Sequence, residues 1–358
     1  MYALDIQSKS KDWRGTIMLR KELSLSIIIV LIVGLLAGCT SSKVPQEEGN
    51  SNNEEIKLEK VTVVLDWVPN TNHTGMYVAL ENGYYEEEGL EVEIIQPTAG
   101  GSADLIAAGQ GEFGISYQEQ VVYARTAADP LPVKAIAAII QHNTSGIASP
   151  MSKNIKTPKD FEGKKYGGWG SPIEEAMLKG LMEKEGGDFN KVEMIDIGTS
   201  DFFTSVENHV DFTWIYYGWD GVAAELRDFD INFIKLQDVE PALDFYTPTI
   251  IAHETLLNDK PELAKKFLKA TSKGYEFAID KPEEGGKILL KHVPELEEEM
   301  VMASQKYLAK EYRAEAKRWG EMKEEVWETY ANWMFENNLL ENELKADEAF
   351  TNEFLPKE

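Results

Sequence analysis

Residues 61–95 read VTVVLDWVPNTNHTGMYVALENGYYEEEGLEVEII. VTVVLD is an apolar, β-branched run of buried-strand length, residues 76–82 suit a helix, and LEVEII from Leu90 alternates apolar with acidic side chains as a half-covered strand does. This strand, helix, strand unit sets the grammar of the chain. Residues 102–108 follow as a helix, FGISY from Phe113 as a short strand, residues 119–126 as a helix and VKAIAAII from Val133 as another strand. Short strands alternating with helices predict an open α/β sheet.

The same grammar restarts after Ser149. Thr157, Pro158 and Asp160 open a turn, KKYGGWG is a strand entering a glycine-rich bend, residues 172–185 form a helix and VEMIDI from Val192 a strand. DFFTSVENHV, DFTWIYYGW, residues 221–227 and INFIKL extend the pattern as helix, strand, helix and strand. TPTIIAHETLL reads as a strand returning to the first half, and the chain from Lys260 onward as almost wholly helical. In that tail Trp319, Trp327, Tyr330, Trp333 and Phe335 are spaced for burial on helical faces. The predicted organisation is two α/β lobes, 58–145 plus 247–358 and 146–246, with a ligand cleft between them. In such sheets ligands sit beyond strand C-termini, which selects the stretches after Leu65, after Ile115, at Trp169 and at Tyr216.

Upstream, residues 23–39 read LSLSIIIVLIVGLLAGC behind Arg20 and Lys21. A basic flank, a short apolar core and small residues before a cut describe an export signal, and Leu36, Ala37, Gly38 and Cys39 are similar to the lipobox of bacterial lipoproteins. The apolar run is shorter than the roughly 20 residues of a spanning helix. Residues 1–38 are therefore expected to be the signal, with 1–17 an over-extension, since Asp5 and Asp12 do not suit a basic leader and Met18 is the more natural start. Cys39 is the expected lipidation site, and residues 39–57 are polar, acidic and suited to a disordered tether.

The chain from Cys39 has about 320 residues, enough for two lobes. Over the full 358 residues, 36 basic and 62 acidic side chains give a net charge of −26. Such a surface repels phosphate backbones and anionic lipid, so nucleic acid is not expected as a partner and membrane attachment falls to the lipid. The single cysteine leaves none for a disulfide, a thiolate nucleophile or a cysteine metal site once Cys39 is acylated. His73, His142, His209, His253 and His292 show no metal spacing. Neither a metal nor a cofactor is expected.

The turn after Leu65 carries Asp66, Trp67, Asn70, Thr71, Asn72 and His73, a dense set of hydrogen-bonding side chains for a plain connection. LDWVPNTNHTGMYVALENGYYEEEGLEVEI, with GGSADLIAAGQGEFGISYQEQVVYAR and GGWGSPIEEAML, resembles the signature of the thiamin-pyrimidine family. That family groups yeast-type hydroxymethylpyrimidine phosphate synthases with bacterial substrate-binding lipoproteins, and the likeness spans most of residues 61–246. Within it, the lipoproteins that bind formylaminopyrimidine are most alike. The resemblance implies a type II periplasmic-binding-protein fold closing on a flat aminopyrimidine. It also implies an extracytoplasmic, membrane-anchored monomer that serves an ABC permease and its ATPase in thiamin salvage.

The residues themselves suit such a ligand. Trp67, Tyr117, Trp169, Tyr216, Tyr217 and Trp219 fall at predicted strand ends and offer ring faces, each stacked pair being worth about 1 kcal/mol beyond burial. Asp66, Asn70, Glu119 and Glu174 can accept from an exocyclic amine, and Asn70, Asn72 or a backbone amide can donate to ring nitrogens; Ser171 stands at the same bend as Trp169. Each has a second reading. Asp66 and His73 also suit a turn that merely holds itself, Glu174 suits helix-end electrostatics, and Trp219 a hinge aromatic. An anion site would be expected to use a helix N-terminus with Arg or Lys nearby. Here Glu174 and Glu175 open one helix and Asp104 another, which disfavours sulfonate, nitrate, phosphate or a phosphorylated pyrimidine.

Two other functions compete. By family resemblance the synthases depend on iron and a cysteine-rich segment, which this chain does not carry beyond Cys39, and an exported lipoprotein lacks the cytoplasmic cofactor supply. A signalling receptor would need a transmembrane link and an output module. The expectation is a non-enzymatic receptor for formylaminopyrimidine or its hydroxymethyl counterpart.

Overall fold

The structure, a computed structural model, describes residues 57–97, 101–198 and 200–357. The export signal, Cys39 and most of the tether lie outside the described residues.

Among the described residues, ten strands form two five-stranded sheets of the same design. The first holds β1 (Glu59–Val64), β2 (Leu90–Ile95), β3 (Phe113–Ser116), β4 (Val133–Ala138) and β10 (Thr249–His253), in the order β2-β1-β3-β10-β4. β1 runs parallel to β2, with Val61 opposite Val92, and parallel to β3, with Val63 opposite Phe113. β10 is antiparallel to both β3 and β4. The second sheet holds β5 (Ser145–Pro150), β6 (Lys165–Gly168), β7 (Glu193–Asp196), β8 (Phe212–Tyr216) and β9 (Ile231–Lys235), in the order β7-β6-β8-β5-β9. Here β5 is the antiparallel strand, between β8 and β9. The longer helices between parallel strands are those the sequence predicts, within one or two residues at each end, and the short helix Tyr84–Glu87 before β2 is an addition to them.

β5 is the element that the sequence reading misses. SGIASP has neither an alternating pattern nor a β-branched run, yet all six residues are buried. Its small side chains answer to crowding: a Cβ added at Gly146 would meet Phe233 Cζ at 2.5 Å and Ile234 O at 2.6 Å. Neighbour distance, which local propensity does not encode, selects these residues.

Two segments pass between the sheets, one from β4 to β5 and one from β9 to β10, and they are fastened to each other. Asp244 accepts from His142 Nδ1 at 2.7 Å and from the Asn143 backbone N–H at 2.9 Å, and Asn143 Nδ2 donates to Leu243 O at 2.7 Å. His142 Nε2 meets Glu315 at 2.8 Å. Its hydrogen bond to Asp244, with Glu315 adding to it against burial, pushes the imidazole up to about 9.

After β10 come the helices Glu254–Asp259, Pro261–Asp280, Pro282–His292, Glu298–Glu311 and Glu324–Glu336. The tail also returns to the first sheet, where Phe350 bridges Ala135 and Gly320 bridges Ala138 on β4. Trp319, Trp327, Tyr330 and Trp333 are buried as expected, whereas Phe335 is 38% exposed and lies off the face that the others bury. Tyr330 stacks on Phe245 of the second crossing segment at 4.2 Å. Among the described residues no helix is long and apolar enough to cross a membrane.

Candidate functional site

The chain leaves β1 at Leu65 and folds on itself at once. Asn70, in an extended conformation, accepts the Asn72 backbone N–H on its side chain at 2.9 Å and so starts the short helical turn Thr71–His73. The Asn70 backbone N–H donates to His73 Nδ1 at 3.2 Å. A ring nitrogen that accepts carries no proton, so the His73 proton sits on Nε2 and is donated to Asp66 Oδ1 at 2.7 Å. His73 is fully buried and the Asp66 side chain nearly so. Burial alone would raise the Asp66 carboxyl, but the bond from His73, with the Tyr117 hydroxyl beside it, holds it below the ordinary value. An anionic carboxylate is thereby fixed just beyond the C-terminal end of β1.

This turn forms one wall of a cavity of about 290 Å³ between the two sheets, near the lower end of the ~300–1,000 Å³ typical of ligand pockets. Asp66, Trp67, Asn70 and Thr71 line it on this side, with Tyr117 from the end of β3. Tyr216, Gly218, Trp219 and Asp220 line it from the second sheet. Thr144 and Thr247 come from the two crossing segments, and Leu296 and Leu308 from the tail. Trp67 is 55% exposed while it lines the cavity.

The second wall rests on an unusual element. β8 runs into a π-helical turn, Tyr217–Gly221, a widened geometry that recurs at functional sites. It carries Trp219 and Asp220 into the cavity lining. Burial pushes the Asp220 carboxyl up to about 6, with the charge of Asp201 adding to it, against a hydrogen bond from the Tyr216 backbone and the charge of Arg227. The lining thus combines four aromatic rings with two carboxyl groups, and among the described residues it includes no Lys or Arg.

Of the residues singled out from sequence, Asp66, Trp67, Asn70, Tyr117 and Tyr216 meet in this lining, and His73 stands directly behind Asp66. Asn72 and Trp219 line it as well, whereas Glu119, Trp169, Ser171, Glu174 and Tyr217 lie outside it. Trp169, 51% exposed, stacks on Trp214 at 5.4 Å, which stacks in turn on Tyr216 at 6.5 Å, so a row of rings leads from the cavity wall to the surface. Glu174 is fully buried and accepts from Tyr166 Oη at 2.7 Å and from the backbone N–H groups of Trp169 and Ser171, which holds the glycine-rich bend shut. Gly168 permits this, because a Cβ there would meet Glu174 Oε1 at 2.1 Å. Glu119, in the first turn of the helix Gln118–Thr126, is pushed up to about 7 by burial and by the charge of Glu174. Tyr217 turns away, donating to Glu225 at 2.6 Å and packing on Tyr307 at 5.4 Å. Asp220 is the charged lining residue with no place in the sequence reading, which also passes over Thr144 and Thr247. The only local signal for Asp220 is its position at the end of the aromatic run WIYYGW. Among the described residues no group of three His, Cys, Asp or Glu side chains is placed to hold a metal ion.

Comparison with known proteins gives a consistent picture. A family model described as NMT1/THI5 like matches residues 70–285. The formylaminopyrimidine-binding protein of Halalkalibacterium halodurans is 29% identical over 331 residues, covering 91% of this chain and 97% of that protein. A 4-amino-5-hydroxymethyl-2-methylpyrimidine phosphate synthase of Legionella pneumophila is 24% identical over 245 residues, 66% of this chain and 75% of the synthase. Among solved structures, the periplasmic aliphatic sulphonate binding protein SsuA of Escherichia coli superimposes with a TM-score of 0.63 at 14% identity, covering 81% of this chain and 91% of that one. The fold is that of the type II periplasmic binding proteins, as the sequence predicts.

Proposed function

Because the chain belongs to the NMT1/THI5-like family, we propose that it is the extracytoplasmic substrate-binding lipoprotein of an ABC importer. Its ligand is a thiamin-related aminopyrimidine, formylaminopyrimidine or hydroxymethylpyrimidine, taken up for thiamin salvage. Residues 58–145 plus 247–358 and residues 146–246 are the two lobes that close on it, Cys39 carries the lipid that keeps the protein at the outer face of the membrane, and the protein works as a monomer.

The composition of the cavity wall carries this reading. Trp67, Tyr117, Tyr216 and Trp219 offer faces to a planar ring, and offset stacking on each contributes about 1 kcal/mol beyond area burial. At the ring edge, anionic Asp66 accepts from an exocyclic amine. Asp220, with its raised carboxyl, is protonated below about pH 6 and then donates to a ring nitrogen. Sulfonate recognition calls for cationic donors, and two carboxyls in a lining without Lys or Arg oppose it.

Synthases in the same family support a second reading, catalysis on the pyrimidine. The single cysteine of the chain, Cys39, does not supply the cysteine-rich segment on which, by family resemblance, those enzymes depend. A thermal-shift panel of formylaminopyrimidine, hydroxymethylpyrimidine and thiamin, with mass spectrometry of the recovered compound, separates the two. Stabilisation by an aminopyrimidine that is recovered unchanged is the expected result. A chemically altered product would make the protein an enzyme, and stabilisation by none of the three would end the ligand assignment.

A further inference from the structure

The helix Glu298–Glu311 lies in the tail, yet it touches both walls of the cavity. Thr71 belongs to the wall after β1 and Gly218 to the wall after β8. Ser304, fully buried, hydrogen-bonds to both. The Gly218 carbonyl can only accept, so it takes the single Ser304 hydroxyl proton. Thr71 Oγ1–H must then donate to Ser304 Oγ, at 2.6 Å. The direction of the relay, Thr71 to Ser304 to Gly218, follows from this inventory alone.

Neighbouring contacts hold the relay from each side. Tyr312 Oη donates to Thr71 O, and Tyr275 Oη donates to Asn72 O at 2.7 Å. One turn beyond Ser304, Leu308 packs so closely on Gly218 that a Cβ there would meet Leu308 Cδ2 at 2.8 Å. A serine satisfied in an ordinary core position would need only one partner, commonly a carbonyl of its own helix. Ser304 instead reaches two loops that are 147 residues apart in sequence, and no other side chain among the described residues hydrogen-bonds to both.

We propose that Ser304 is a positioning residue for the ligand cavity, setting the separation of its two walls through Thr71 and Gly218. The segment carrying Asp66 and Trp67 and the segment carrying Trp219 and Asp220 are thereby held at the width of one planar ring. This rests on the ligand reading above.

The test compares Ser304→Ala, Thr71→Val and the double variant with the unaltered protein. One arm measures formylaminopyrimidine affinity by calorimetry, and the other measures hydrogen–deuterium exchange of ligand-free protein. Ser304→Ala is expected to weaken binding about tenfold, and the double variant should be no worse than Ser304→Ala alone, because both changes interrupt one relay. Exchange should rise together in peptides covering 66–73 and 216–221. Unchanged affinity, losses that multiply in the double variant, or faster exchange confined to 298–311 would overturn the proposal. Should the unaltered protein not bind formylaminopyrimidine, the ligand reading fails by itself. The exchange arm then decides the role of Ser304: a joint rise in the two wall segments supports it, and no joint rise refutes it.

Discussion

Asp66→Ala is expected to weaken aminopyrimidine binding by about 100-fold, the loss of one charge-assisted hydrogen bond of ~1.5–3 kcal/mol. Among the described residues the carboxylate is also the only acceptor for the His73 Nε2–H, at 2.7 Å from a fully buried ring. Removing it strands that donor at a cost of about 1–3 kcal/mol in stability and loosens the turn that presents Asn70 and Thr71. Asp66→Asn separates the two effects. An amide oxygen still accepts from His73 while the negative charge is gone, so stability should recover while affinity stays reduced by about tenfold. Calorimetry with urea denaturation of both variants reads the difference. An alanine variant that folds and binds within threefold of the unaltered protein would remove Asp66 from the site.

Gly274→Ala is expected to be the most damaging conservative change in the chain. The helices Thr74–Glu81 and Pro261–Asp280 meet at Gly75 and Gly274, and a Cβ on Gly274 would lie 1.9 Å from Gly75 O, a backbone atom. No rotamer relieves that overlap. The helices must separate, at a cost of about 3 kcal/mol or more, and the movement reaches the site because Tyr275 carries the hydrogen bond to Asn72 O. Gly180→Ala is the matched control. There the nearest atom to an added Cβ, Trp333 Cζ2, is 3.4 Å away, so the change should leave stability unaltered or raise it by up to about 1 kcal/mol. Equal urea midpoints for Gly274→Ala and the unaltered protein would show that the helix contact is not as tight as described.

The first half of the site is legible in sequence because its logic is local. A strand ends at Leu65, turn formers follow, and Asn70, Asn72 and His73 satisfy one another within four residues. The bend at Trp169 is legible for the same reason: Ser171, Pro172 and Glu174 follow the capping pattern, and Glu174 serves the bend through its backbone donors. β5 and the second wall depend instead on partners far along the chain. Gly146 is small because Phe233 and Ile234 crowd it, and Asp220 reaches the cavity because the turn after Tyr216 widens into a π-helix. Periodicity shows that the helix Glu298–Glu311 buries one face, but Ser304 meets Thr71 across 233 residues of sequence, and no pattern within the helix announces that.

The central claim is that this cavity holds a planar amine-bearing ring and rejects an anion. Parallel calorimetric titrations with formylaminopyrimidine and with an aliphatic sulfonate of similar size test it most directly. Saturable one-to-one binding of the pyrimidine with no heat from the sulfonate is the predicted result; saturable sulfonate binding, with the pyrimidine silent, would contradict it.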